Sequence, residues 1–149
     1  MHDGNDDATI RRLLSASRRI ALVGASARPD RPSNGVTRWL IARGWEVVPV
    51  NPGIAGEEIE GRTVFASLAE VPGEIDLVEI FRRSDEAGAV VDAAIARGVK
   101  AVWLQLGVID QAAAARARAA GLALVMDCCP AIEGLRLGVT GPARRCPAR

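Results

Sequence analysis

A chain of 149 residues that is 49% apolar with a formal net charge of +1 is long enough for one domain that buries about two thirds of its unfolded surface. So small a charge supplies no global field, which argues against nucleic-acid and membrane-surface partners. No run approaches the roughly 18 apolar residues of a membrane span, and the polar start Met1-His2-Asp3-Gly4-Asn5-Asp6-Asp7 does not read as a signal peptide.

Residues 1–17 form an N-terminal unit whose helix is expected over 7–17, with Ile10, Leu13 and Leu14 on one face. Strand and helix patterns alternate after it. Apolar runs suited to buried parallel strands fall at 20–23, 47–50, 75–80, 101–106 and 122–126. Helical segments lie between them at 36–43, 85–97 and 111–120, each ending before a glycine (Gly44, Gly98, Gly121) that turns the chain into the next strand. The stretch 53–72 is irregular, with a short strand at 63–65 and a helical turn at 67–70. From Gly138 to the end Gly, Pro and Arg dominate, which predicts a disordered tail over 138–149 and leaves 18–137 as the folded domain.

Right-handed crossovers restrict this alternation to an α/β fold, a single-domain doubly wound parallel sheet. The expected Rossmann-like strand order is 3-2-1-4-5-6 with the third strand abbreviated. Ligands bind such sheets where the winding reverses, which sets Gly24-Ala25-Ser26 opposite Phe81-Arg82-Arg83.

The strand-end loops carry arginines, amides, glycines and thiols, but no carboxylate pair. Gly24 ends the first strand and would let backbone approach a phosphate, with Arg28 and Arg31 adding charge and a helix N-terminus following Pro32-Ser33. It does not open the dinucleotide fingerprint, since Ser26 and Pro29 stand where G-x-G-x-x-G needs its second and third glycines. Asn51, before Pro52-Gly53, stands where an acid for the NAD ribose is expected; it reads either as a ligand amide or as part of a turn. Arg82-Arg83 precede Ser84-Asp85-Glu86, so they either pair with those acids or clamp a phosphate, and their place at the switch point favours the clamp. Gln105 and Gly107 offer an amide and a bare backbone, or simply a turn. Trp39, Trp45 and Trp103 fit the core.

Three cysteines, Cys128, Cys129 and Cys146, make no disulfide framework, so the expected compartment is the cytoplasm. Cys128 reads as a buried thiol. Cys129, ahead of a possible helix start at Pro130, reads either as a packing residue or as a thiolate stabilised by that helix. His2, the only histidine, lies in the N-terminal segment outside the expected folded domain, which argues against a Cys–His nucleophile.

From about Arg18 to Leu137 the chain resembles the small bacterial CoA-binding proteins, whose single Rossmann-like domain is similar to the CoA-binding domain of the succinyl-CoA synthetase α subunit. The resemblance rests on Val23-Gly24-Ala25-Ser26, Arg31-Pro32-Ser33, Pro49-Val50-Asn51-Pro52, Phe81-Arg82-Arg83-Ser84, Val102-Trp103-Leu104-Gln105-Leu106-Gly107 and Val125-Met126-Asp127 in that order. The family's Asp-Arg-Cys is Asp127-Cys128-Cys129 here, so one cationic contact is missing. The Glu133-to-Leu137 segment keeps the family's Glu and Arg-Leu around Gly134 and Leu135. The resemblance implies non-catalytic binding of coenzyme A or an acyl-CoA, with ligand contacts from Gly24, Ala25, Ser26, Arg31, Pro32, Ser33, Asn51, Pro52, Phe81, Arg82, Arg83, Gln105, Gly107, Met126 and Cys129. The alternative class is an NAD(P)-binding oxidoreductase or redox sensor. A synthetase-like ligase subunit would need a phosphohistidine, for which His2 is no candidate.

Overall fold

Apolar alternation with period two sorts the side chains of five parallel strands onto two faces, and helices cover both. The structure is a computed structural model and describes residues 5–144; His2 and Cys146 lie outside them. The strands are β1 (Arg19–Val23), β2 (Glu46–Val50), β5 (Leu77–Ile80), β6 (Ala101–Leu104) and β7 (Ala123–Met126), and a hairpin, β3 (Glu58–Ile59) with β4 (Arg62–Thr63), stands apart. The sheet order is β2-β1-β5-β6-β7, parallel throughout. Leu22, Leu77, Trp103 and Val125 face α1 (Asp7–Ala16), α2 (Pro32–Ala42) and α5 (Pro130–Leu137). Ala21, Val78, Val102 and Leu124 face α3 (Ser84–Arg97) and α4 (Gln111–Ala119). The sheet is therefore doubly wound, as expected.

The expected third strand is reduced to a single parallel bridge between Val50 and Phe65. After Asn51 the chain enters a 3-10 turn (Pro52–Ile54) and then the hairpin, so Phe65 alone reaches β2, through Phe65 N–H to Pro49 O and Asn51 N–H to Phe65 O. Pro49 is tolerated in β2 because little chain pairs beyond it. At the other edge, the Asn5 amide accepts the Met126 N–H at 2.9 Å and donates to the Met126 carbonyl at 2.6 Å, standing in for a further strand.

Two helix boundaries differ from expectation. α2 starts at Pro32, four residues before the expected 36, because Pro at N1 loses no hydrogen bond. α5 was expected only as a possible start at Pro130. Its Ile132 and Leu135 face solvent, so its pattern does not announce a buried stripe. Gly134 faces inward instead: a Cβ there would sit 2.7 Å from the Trp39 ring. Trp39 stacks on Trp45 at 5.6 Å, with the Arg43 guanidinium 4.4 Å above it. The expected disordered tail is held in place as far as it is described. Val139 is buried, and the Ala143 N–H donates to the Ser15 carbonyl at 2.7 Å.

The β1–β5 pair closes most tightly at Gly24. Its φ is +93°, and a Cβ there would lie 1.9 Å from the Phe81 carbonyl oxygen. Gly24→Ala is therefore expected to destabilise the fold by about 3 kcal/mol, roughly 10 °C in Tm, through strain and overlap. Calorimetry checks this, and an unchanged Tm would show that the two strand ends are free to separate.

One group in the core breaks the apolar pattern. Glu79, between Leu22 on β1 and Trp103 on β6, is 0% exposed, and neither carboxylate oxygen has a hydrogen-bond partner among the described residues. Burial, and after it the neighbouring Cys129, raise its pKa well above the usual carboxylate range. A folded pKa above the unfolded value means that the native state holds a proton the unfolded chain releases, so stability falls as pH rises above about 4.5. Between pH 5 and 8, urea midpoints of the wild type should fall relative to those of Glu79→Gln. Parallel midpoints would show that Glu79 is charged in the native state.

Candidate functional site

All five strands present their C-terminal ends to one edge, and three adjoining hollows open there. The first, about 400 Å³, is lined by Gly24–Ser26, Arg28, Arg31–Ser33, Asn51, Phe81 and Arg82. The second, about 490 Å³, shares Pro32, Phe81 and Arg82 with it and adds Arg83, Glu86, Gln105, Leu106 and Val108. The third, about 200 Å³, lies under Arg82 toward α3, with Val23, Val50, Pro52, Leu68, Val90 and Ala93 around it. Arg82 borders all three.

The 24–33 loop is fixed by its own backbone and by two buried or half-buried amides. The Gly24 and Ala25 N–H groups both point to the Val50 carbonyl, at 2.9 and 3.3 Å. Asn51 donates to the Ala25 carbonyl at 2.8 Å while its own oxygen accepts the Gly53 N–H at 2.9 Å. Asn34 donates to the Ser26 carbonyl at 2.8 Å, and the Ser26 hydroxyl accepts the Arg28 N–H at 3.1 Å. Gly24 is thus a glycine because β5 crowds it, and its N–H is already used. Asn51 acts as a clasp between two loops.

What the clasp leaves open is the N-terminus of α2. Its N-cap residue, Arg31, makes no side-chain cap, and the N–H groups of Ser26, Ala27 and Ser33 have no partner among the described residues. Unfilled N–H donors and the helix dipole together favour an anion.

The arginines divide by pairing. Arg83 donates to Asp85 at 3.0 and 3.1 Å and approaches Glu86 at 3.4 Å, so its charge is committed to the first turn of α3 and the Asp85 hydrogen bond raises its pKa further. Arg28 reaches only Asp30, at 3.4 Å, with both side chains mostly exposed. Arg31 and Arg82 have no side-chain partner among the described residues. Both line the first hollow. Of the expected Arg82-Arg83 clamp, Arg82 is the arm with a free guanidinium.

The β6 loop is equally well tied. Ser84 occupies the first turn of α3, where its hydroxyl accepts the Ile109 N–H at 2.9 Å and donates to the Gly107 carbonyl at 3.3 Å. The Gly107 N–H donates to Asp127 at 2.7 Å. Gln105 is only 9% exposed, and its Oε1 has no partner among the described residues. Met126 and Cys129 line none of the three hollows. Met126 packs under α4 and receives the Asp110 N–H on sulfur at 3.4 Å. Cys129 is 8% exposed, in the cluster beneath α5. Burial, with Glu133 and Asp127 behind it, pushes Cys128 up to about 11, so it is a thiol at neutral pH.

A larger hollow, about 800 Å³, opens at the opposite edge among Arg18, Arg19, Glu46, Asp76 and Lys100. Asp76 and Glu46 are already engaged: Asp76 accepts the backbone N–H groups of Arg18 and Arg19 at 3.0 Å and pairs with Lys100 at 3.4 Å, and Arg19 donates to Glu46 at 2.6 Å. Volume alone does not mark a binding site; unfilled donors and free cations mark the C-terminal edge. Among the described residues no cluster of His, Cys, Asp and Glu could hold a metal, and no helix is long and apolar enough to cross a membrane.

Comparison with known proteins agrees with the fold. The uncharacterized protein YneT of Bacillus subtilis is 37% identical over 122 residues, covering 82% of this chain and 89% of that protein. The α subunit of an ADP-forming acetate–CoA ligase of Pyrococcus furiosus is 36% identical over 89 residues, 56% of this chain but 19% of the subunit. The crystal structure of Prb, the PH1109 protein redesigned for binding, superposes with a TM-score of 0.87 at 38% identity, covering 93% of this chain and 96% of that one. Residues 18–134 match the family model described as the CoA binding domain, and the chain belongs to that family.

Proposed function

We propose that this chain binds coenzyme A or an acyl-CoA at the C-terminal edge of its sheet and carries out no reaction of its own. The observation that carries the reading is the meeting of two unpaired guanidiniums, Arg31 and Arg82, with the open N-terminus of α2 in one hollow of about 400 Å³. The 3′-phospho-ADP end of CoA is a multiply anionic group beside a flat apolar base. The first hollow supplies cations and N–H donors for the phosphates. The third, walled by Val50, Pro52, Leu68 and Val90, suits the adenine. In this reading Ala25, Ser26, Pro32 and Ser33 shape the phosphate site, Phe81 separates it from the second hollow, and Gly24, Asn51 and Gly107 hold the loops in place. Pro52 borders the base.

The proposal assigns the hollows binding alone because they gather arginines and amides. An NAD(P) ligand fits less well. Ser26 and Pro29 occupy the fingerprint positions, and Asn51 has both its amide and its carbonyl engaged within the protein.

Two measurements test this reading. CoA should raise Tm by mass action while NAD at matched concentration leaves it unchanged, and equal shifts would sink the assignment. In titration calorimetry Arg82→Ala should weaken CoA binding by about 1.5–3 kcal/mol, the range for a charge-assisted hydrogen bond, and Arg83→Ala by less than about 1 kcal/mol. Equal losses in the two variants would mean that Arg83 leaves its acidic partners to join the site.

A further inference from the structure

We infer that the second hollow holds the thiol end of the ligand and favours acyl-CoAs bearing an apolar acyl chain over free CoA. The inference rests on the CoA reading above and adds the class of acyl group. Its first support is continuity. The second hollow shares Pro32, Phe81 and Arg82 with the phosphate site, so a ligand anchored there by its phosphates extends directly into it.

The second support is Gln105. It is only 9% exposed and lines this hollow; Oε1 is turned into the protein, and the accessible Nε2 has no partner among the described residues. The pantetheine arm of CoA brings amide carbonyls, so the arm offers acceptors to a donor that the protein leaves open.

The third support is Leu106. It is 56% exposed, one of the few large apolar side chains held in solvent, and it lines the same hollow beside the buried Val108. Its loop does not float. Val108 N–H bonds the Gln105 carbonyl at 2.8 Å, Gly107 N–H bonds Asp127 at 2.7 Å, and Ser84 holds Gly107 and Ile109. A rigid loop that holds Leu106 out of the core presents a preformed apolar wall. Pro32 and Phe81 face it across the hollow. Glu86 is paired to Arg83 and so adds no free charge to repel an apolar chain.

Titration calorimetry of the full chain with 3′-phospho-ADP, CoA and hexanoyl-CoA tests the inference. Hexanoyl-CoA is expected to bind about tenfold tighter than CoA, the effect of burying roughly two methylenes. Leu106→Ser should remove that advantage and leave CoA unchanged. Gln105→Met, with Tm confirming the fold, should weaken CoA and hexanoyl-CoA alike and spare 3′-phospho-ADP. If hexanoyl-CoA binds no tighter than CoA, or Leu106→Ser weakens both equally, the acyl wall is refuted while the CoA reading stands. If CoA itself does not bind the wild type, both fall.

Discussion

The closeness of β1 and β5 at their C-terminal ends governs everything at the candidate site. The Phe81 carbonyl occupies the space that a side chain at position 24 would fill, so the two strands end side by side and their loops must diverge at once. The chain after β1 turns to the face that carries α2, and the chain after β5 turns to the face that carries α3. That divergence is the switch point, and it opens the cleft. Arg31 and Arg82 line one hollow because their loops leave from adjacent strands. Gly24 shapes the cleft by permitting the strand contact, and the N–H groups left open beside it are those of Ser26, Ala27 and Ser33.

Charge within the fold is distributed so that most of it is spent locally. At the N-terminal edge Arg19 pairs with Glu46 and Lys100 with Asp76, at 2.6 and 3.4 Å. Arg83 is bound to Asp85, Arg116 to Asp92 and Arg136 to Asp7. Such pairs add little stability at a surface, but they remove long-range attraction for anions. Against that background two unpaired guanidiniums in one hollow stand out, although the formal net charge is only +1. A global charge count therefore says nothing about such a hollow; the pairing pattern does.

Much of this was legible in the sequence because parallel buried strands leave uninterrupted apolar runs and each ends in a recognisable turn. The five main strands, the switch-point pairing of Gly24 with Phe81 and the place of α1, α3 and α4 follow from those runs. The early start of α2 did not, since Pro32 reads as a loop residue until the helix geometry after it is known. α5 was illegible for a different reason. Its apolar residues Ile132 and Leu135 point outward and its inward residue is Gly134, so periodicity there carries an inverted signal. At the site, residue type was readable but partnership was not: Arg82 and Arg83 are identical in sequence terms, and only the reach of Asp85 and Glu86 from α3 separates the free guanidinium from the bound one. Asn51 likewise reads as ligand contact or as turn, and both ends of its amide are engaged, the oxygen by the turn and the nitrogen by the Ala25 carbonyl.

Glu79 escaped notice because a lone acid inside an apolar strand, Leu77-Val78-Glu79-Ile80, disturbs the pattern by one residue only. Its placement nonetheless ties the core to the site. It stands two residues before Phe81 on the strand that shapes the cleft, faces the α1–α2–α5 side, and interacts electrostatically with Cys129 at the N-cap of α5. A buried carboxyl without a hydrogen-bond partner destabilises the charged form far more than the neutral one. The neutral acid is therefore the state compatible with the packing observed around Leu22 and Trp103. Ionisation would demand water or a cation inside the layer that supports β1 and β5, and those strand ends are what hold Arg31 and Arg82 within reach of a common ligand.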